Sequence, residues 1–315
     1  MTIGAGFRPG EGPGITVVGG ANMDIGAKPF GPLSERDSNP GRVRVSVGGV
    51  GRNIAHNLRL LGLPVAFLTA LGKDAHGDRI ASECAMAGMA CDRILRTHEE
   101  PTSTYLFISD ETGDMRLAVS DMEICRCITP EYLAGEIALM ESSAAVVLDA
   151  NLPEESIRFL GERLHVPLFA DPVSTAKAGR LQSILGKLHT LKPNLQEAEL
   201  LSGIPIRKEA DLARAADALL STGLRRVFIS LGRDGVAAAW EDRLVHIPCC
   251  PAAAVNMTGA GDAMMAGLVW AFTEGLSPED SARAAAAAAA VAVESARTVN
   301  PDLCPEAVWS RMIPN

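Results

Sequence analysis

Short continuous runs of apolar residues recur along the chain, at Ile15–Val18, Val65–Thr69, Val146–Leu148, Leu168–Ala170 and Val227–Ser230, most of them separated by stretches of helical composition. A strand buried on both faces reads as such a run, and alternation with helices predicts βαβ units around a mainly parallel sheet covered on both sides. Two regions break the pattern by alternating. Arg42 to Val47 sets valines on one side and polar residues on the other, the period of a strand with one buried face. Thr104–Ser109 and Met115–Ser120 flank the polar stretch Asp110–Asp114 and predict a β-hairpin. These one-sided strands, inserted around 30–47 and 102–122, predict a small sheet apart from the main core, whose apolar face a substrate lid or a dimer contact would cover. The alanine-rich run Ala284–Val293 is about half the length that spans a bilayer and reads as a packed helix.

Composition narrows the picture. A chain of 315 residues, 47% hydrophobic and 21% charged, suits a single α/β domain over 15–315. The net charge of -9 argues against a nucleic-acid partner, because neutralising phosphates needs a surplus of clustered Lys and Arg. Any phosphate site must be local, built from backbone amides and a few side chains, and no membrane partner is expected. The seven cysteines are scattered without CxxC spacing, so a reduced, cytoplasmic protein is expected. Met1–Gly14 is rich in Gly and Pro, lacks a signal-peptide core, and reads as a flexible tail.

The sharpest chemical signal runs from Asn256 to Gly267, straight into an apolar helix. Gly259, Ala260 and Gly261 let the backbone approach a ligand closely, and the helix start aims free N–H groups and a positive dipole end at it, which makes an anion hole. Asp262 in the first turn is placed to take a proton from a hydroxyl that attacks a phosphate held there. A glycine turn with a capping aspartate explains the same residues. Gly48-Gly49-Val50-Gly51-Arg52-Asn53 opens the next predicted helix, Ile54–Leu61. Its glycines let a polyol lie against bare backbone, and Asn53 offers a donor and an acceptor to paired hydroxyls; it is neither a Walker A loop nor a dinucleotide fingerprint. Arg52 reads as a solvated or ion-paired helix residue, with a phosphate ligand as the alternative. Asn22 and Asp24 follow the first strand at the carboxyl edge where open sheets bind ligands, with an Asx turn as the local alternative. Asn194 and Glu197 lie three apart on one helical face and suit a magnesium ion that keeps most of its waters; a plain helix start serves equally. Ser230, Gly232 and Gly235 follow a buried strand and either hold a nucleotide or join two strands. The histidines show no paired spacing, so none is assigned to a metal.

In this order the elements resemble the ribokinase-like (PfkB) carbohydrate kinase family from Ile15 onward, most specifically through Gly48–Asn53 and Asn256–Gly267. The resemblance implies a three-layer α/β/α fold with a mainly parallel central sheet and a β-sheet lid, a homodimer through that lid, and transfer of the γ-phosphoryl group of ATP, with Mg2+, to a sugar or nucleoside hydroxyl. It makes Asp262 the base, Gly259, Ala260 and Gly261 the anion hole, Asn194 and Glu197 the magnesium and phosphate shell, and Thr258, Ser230, Gly232 and Gly235 part of the nucleotide site. Asn22, Asp24, Gly48, Gly49 and Asn53 become the sugar contacts, and Ser38, Asn39, Thr102, Ser103 and Asp121 candidates for reading a base. Asn256-Met257 stands where most of the family has Asp-Thr, which puts activation by a monovalent cation in question. Ala21–Ile25, Asp37–Gly41, Asp171–Ser174 and Asn300–Leu303 are most similar to the subgroup that acts on the nucleoside pseudouridine.

Overall fold

The computed structural model describes residues 14–312. Its main sheet has eight strands in the order β14-β13-β12-β11-β10-β9-β1-β4. Of these, β1 (Ile15–Val18), β4 (Val65–Leu68), β9 (Ala145–Asp149), β10 (Leu168–Asp171), β11 (Thr190–Leu191) and β12 (Arg226–Ser230) run parallel, while β13 (Val236–Trp240) and β14 (Arg243–Ile247) add an antiparallel hairpin at one edge. Every apolar run picked out above is a strand of this sheet. β11 escapes a sequence reading because two residues carry no period, and the Val-Ala-Ala-Ala-Trp of β13 has helical composition.

Alternate residues of each strand feed two separate cores. Ile15, Val17, Phe67, Val147 and Phe228 pack on one side, beneath α1 (Val50–Leu60), α2 (Ala75–Met86), α9 (Ala260–Thr273), α10 (Pro278–Val293) and α11 (Pro305–Met312). Val18, Leu68, Val146, Leu148 and Ile229 pack on the other, against α3 (Pro130–Ala134), α4 (Ile137–Glu141), α5 (Glu154–Arg163), α6 (Thr175–Ala178), α7 (Leu195–Ser202) and α8 (Glu209–Leu220). Both faces of the sheet are therefore dry, and each buried aliphatic or aromatic side chain stabilises the fold by roughly 1.5–3 kcal/mol. The alanines of α10 bring it close against α9: a side chain at Gly267 would meet Ala284 and Ala285 at 3.0 Å. Ser277 caps α10 and Pro278 occupies its first turn, the usual start signals.

A second sheet, ordered β3-β2-β7-β8, is the lid: β2 (Asn22–Pro29), β3 (Gly41–Gly48), β7 (Thr104–Ser109) and β8 (Met115–Asp121). The alternating strand and the hairpin fall as expected. The first lid strand does not, since it starts at Asn22 and residues 30–40 only connect it to β3. Asn, Asp, Gly, Ala and Pro are poor strand formers, and Asn22–Pro29 is held extended by pairing with β3 on one side and β7 on the other. A small pair, β5 (Ala70–Gly72) with β6 (Leu95–Thr97), completes the strands.

The expected tail lies outside the described residues up to Pro13. Gly14 is buried, and its carbonyl accepts the Ala144 N–H at 2.9 Å, so it belongs to the body. Among the described residues no helix is long and apolar enough to cross a membrane. The chain leaves β1 toward β4 on one side and later returns as β9 on the other, which makes the carboxyl ends of β1 and β9 the crevice where such sheets bind ligands.

Candidate active site

α9 supplies the centre. Gly259 precedes it with φ of 87°, and a Cβ there would lie 2.1 Å from the Thr298 carbonyl oxygen, so both backbone and space demand glycine. Ala260 and Gly261 follow as the first helical residues; the Ala260 N–H makes only a long bond, 3.4 Å, to the Met257 carbonyl, and the Gly261 N–H lies in the first turn, where amides lack intrahelical partners. Asp262 is 8% exposed, and its Oδ2 accepts the Asn53 Nδ2 donor at 2.8 Å. It makes no capping bond to its own helix, which removes the cap explanation. Beside it, Lys192 pairs with Asp171 at 3.1 Å, each side chain 6% exposed, and the Lys192 ammonium lies 3.3 Å from where a Gly261 Cβ would sit. Burial, then the charge of Asp171, push the Asp262 carboxyl up to about 8; the Asn53 hydrogen bond and Lys192 pull it back, and Asp149 adds to the rise. A proton acceptor of that strength near neutral pH is what general-base catalysis requires.

The acceptor side is built by the lid root and α1. Asp24 lies in β2, so no Asx turn forms, and its Oδ1 accepts the Asn22 amide at 2.6 Å. A Cβ on Gly48 would sit 2.1 Å from the other Asp24 oxygen, and one on Gly49, whose φ is 101°, would meet Ala21 at 2.5 Å. These glycines thus serve the packing of Asp24 and of the Gly20–Ala21 backbone as well as any ligand. Burial raises the Asp24 carboxyl, opposed by the Asn22 bond and by Arg52. Arg52 is ion-paired and buried, not solvated: Nη2 reaches Glu83 at 3.5 Å, while Nη1 donates to the Val47 carbonyl at 3.3 Å and to Asn53 Oδ1 at 3.1 Å. A continuous chain, Glu83 to Arg52 to Asn53 to Asp262, therefore orients the Asp262 carboxyl.

Behind the helix start lies a pocket of about 720 Å³ in which Ser230, Gly232 and Gly235 meet Met257, Ala260 and Gly261. The 230–235 turn joins β12 to β13, as one of its two readings has it, and also lines this pocket. Thr258 is exposed and is not among the lining residues; its N–H donates to Asn256 Oδ1 at 3.0 Å, a brace within the loop. Asn194 and Glu197 form a reciprocal capping box at 2.9 and 2.8 Å, so the helix-start explanation is what the structure displays. Glu197 is nevertheless buried, 3% exposed, and burial raises its carboxyl. Asp171, Glu197 and Asp262 crowd around one ammonium, Lys192, while Asp149 faces Lys177 and adds its charge to that felt by Asp262. That surplus of negative charge fits a divalent cation, although among the described residues no group of three His, Cys, Asp or Glu side chains is close enough to cage one.

The lid candidates divide. Ser38 and Asn39 lie beyond the Pro29–Gly41 pair, whereas Asn22 and Asp24 sit at the opposite end, where Asn22 pairs with Gly48; seven strand residues separate them, about 23 Å. Asn39 instead closes its own loop, accepting the Ser34 N–H at 2.7 Å. Thr102 and Ser103 are buried, and the Thr102 hydroxyl bonds Asp74 Oδ1 at 2.7 Å. Asp121, paired with Thr104, is at the cleft end and exposed. Sequence reasoning assigned no role to Lys192, Asp149, Asp171, Asn151 or Lys177. Asp149 accepts the Gly20 and Asn151 amides at 2.9 Å each, Lys177 donates to Asn151 Oδ1 at 2.6 Å, and Arg180 donates to the carbonyls of Ala150, Asn151 and Leu152. All but Lys177 sit at the carboxyl ends of β9, β10 and β11, and that position was the available signal.

A carboxyl of raised basicity beside the amides of a helix start can take a proton from a nucleophile whose target those amides hold, an arrangement compatible with phosphoryl transfer to an alcohol. The family model for pfkB family carbohydrate kinases matches residues 13–303. Pseudouridine kinase of Escherichia coli (strain K12) is 38% identical over 297 residues, covering 92% of this chain and 93% of that protein. The uncharacterized sugar kinase YeiI of the same organism is also 38% identical, over 289 residues, covering 91% and 80%. The solved structure of Arabidopsis thaliana ribokinase complexed with ribose and ATP superposes with a TM-score of 0.86 at 25% identity, covering 96% of this chain and 100% of that one. The chain belongs to the pfkB carbohydrate kinase family, and its fold is ribokinase-like. It is a phosphotransferase with an alcohol acceptor, of a kind that uses ATP.

Proposed function

We propose that this kinase phosphorylates the 5'-hydroxyl of pseudouridine, giving pseudouridine 5'-phosphate and ADP. The observation that carries the reading is Asn53, whose amide grips Asp262 at 2.8 Å one turn from the glycines that pack against Asp24. A ribose whose 2'- and 3'-hydroxyls are held by Asp24, Asn22 and the Gly48–Gly49 backbone presents its 5'-hydroxyl to Asp262. Asp262 takes that proton as the oxygen attacks, and the amides of Ala260 and Gly261, with Lys192 beneath them, stabilise charge on the transferring group. The adenine nucleotide occupies the pocket of Ser230, Gly232 and Gly235. Glu197 and Asp171 are the carboxylates that would hold Mg2+ through water; when bound, the ion neutralises phosphate charge. The lid excludes water, a competing acceptor. Support for this acceptor comes from the similarity to the E. coli pseudouridine kinase, while the equal identity to YeiI favours a second reading, a kinase of another sugar or nucleoside.

The outer lid face, with Val43, Val45, Leu117 and Val119 between 42% and 62% exposed, supports a homodimer through the lid, since isolated chains rarely leave so apolar a sheet face in water. The reading places the enzyme in the cytoplasm, where ATP and reduced cysteines are at hand. ADP release with ATP, magnesium and pseudouridine, uridine, cytidine, adenosine, ribose or fructose 6-phosphate tests it. Preference for pseudouridine supports the proposal, preference for another acceptor replaces it with the second reading, and silence with all of them defeats both.

A further inference from the structure

The alternation of the lid strands gives the sheet two faces of different chemistry. Register sets Asp24 opposite Ser46 and Tyr105, and, two residues farther from the cleft, Gly26 opposite Arg44 and Phe107. Because side chains on paired residues point the same way, these share a face with Asp24. The reverse face carries Ile25, Val45, Leu106 and Val119 and is aliphatic. An aliphatic face suits another lid; an aromatic and cationic face suits a planar polar ligand.

The tip of the Phe107 ring reaches over β2, so close that a Cβ on Gly26 would be 2.4 Å from its Cζ. This explains a glycine in mid-strand, where it otherwise weakens pairing. The Tyr105 ring stands 5.9 Å from it, tilted by 35°. Gly26, Phe107 and the exposed Arg44 line the end nearer Asp24 of a pocket of about 560 Å³ that continues along the lid past Lys28 to Phe30, larger than a nucleobase needs. Gly26 is two residues beyond Asp24, about 6.6 Å along the strand, which matches the span from the ribose diol to the base in a nucleoside.

We propose that this lid pocket recognises the base of the acceptor, with the Phe107 ring as its stacking platform and Arg44 donating hydrogen bonds to the ring carbonyls. The inference rests on the nucleoside reading above. Every base has a π face, so stacking supplies affinity without choosing among bases, whereas the Arg44 donors favour carbonyl edges over amino edges. A free pentose reaches Asp24 but has nothing to place in the pocket.

The test compares wild type, Phe107→Ala, Phe107→Tyr and Arg44→Ala. Dissociation constants for pseudouridine and ribose are measured by calorimetry, and kcat/KM by ADP release. Phe107→Ala is expected to weaken pseudouridine relative to ribose by roughly 5- to 150-fold, the range for removing one stacked ring, and Phe107→Tyr to restore it. Arg44→Ala is expected to reduce discrimination of pseudouridine over cytidine. Equal losses for pseudouridine and ribose, or none, overturn the inference while leaving the kinase reading intact, and move base recognition toward the Asn151–Lys177 side of the cleft. A wild-type enzyme that turns over sugars but no nucleoside overturns both.

Discussion

Replacing Asp262 by Asn tests the centre of the argument on two independent readouts. The side chain keeps its shape and can still accept the Asn53 hydrogen bond, but it has neither charge nor basicity. Turnover is expected to fall by roughly 10²- to 10⁴-fold, the range for a general base. The second readout is stability. Burial and the charge of Asp171 hold the native carboxyl at about 8 against an ordinary 3.8. Between those two values the native state keeps a proton that the unfolded chain has released, so this group's contribution is fully present below pH 3.8 and is lost as pH rises through 8. At about 1.4 kcal/mol for each tenfold change in proton affinity, the ionised carboxylate costs the native state a few kcal/mol. Asp24, Asp149 and Glu197 are raised in the same direction, but they are common to wild type and variant and cancel in the difference.

Asp262→Asn should therefore match wild type near pH 4 and exceed it near pH 8.5, by several degrees in melting temperature. Urea or thermal unfolding across that range, run beside the ADP-release assay, gives both answers. Parallel stability curves would refute the raised carboxyl, and undiminished turnover would remove Asp262 from the mechanism. Loss of turnover with a gain in stability at high pH is the combination that only a strained, buried base produces.

Three further substitutions probe the surroundings. Gly48→Ala puts a methyl 2.1 Å from Asp24 Oδ2, and displacing that carboxylate is expected to raise KM for the acceptor while leaving KM for ATP near wild type, measured by varying each substrate in turn. Gly259→Ala forces a left-handed residue against the Thr298 carbonyl; a loss of about 1–3 kcal/mol for the backbone strain alone, read by denaturant titration, should accompany a fall in kcat. Val45→Glu with Leu117→Glu places charge on the apolar lid face and should convert a dimer into a monomer in light scattering, whereas a wild-type monomer would end the dimer proposal.

The main sheet was legible because strands dry on both faces must be apolar throughout, and β1, β4, β9, β10 and β12 obey that rule. β2 was not, since Asn22–Pro29 is extended by its neighbours and not by its own preferences. The setting of Asp262 was legible because the left-handed glycine, the helix start and the buried carboxyl are nearly consecutive residues. Lys192, Asp171 and Asp149 come from three separate strand ends and meet only in the fold, so no local spacing announces them. Ser38 and Asn39 show the opposite failure: nearness in sequence to the lid says nothing about which end of an extended hairpin a residue occupies.

This difference explains why the reaction is read more readily than its acceptor. Phosphoryl chemistry needs a carboxylate, amides and a nucleotide pocket, which one helix start and one turn supply. Recognition of the acceptor, as proposed, is spread over lid strands whose two faces alternate residue by residue, so each proposed role depends on register. Arg52 ties the two together, because one guanidinium holds the Val47 carbonyl in β3, Asn53 beside the base, and Glu83 in α2. A shift of the lid root must therefore disturb the hydrogen bond that aims Asp262. Acceptor binding at the lid and proton removal at the helix are then mechanically joined, and an acceptor that fails to seat the lid is expected to lose rate as well as affinity.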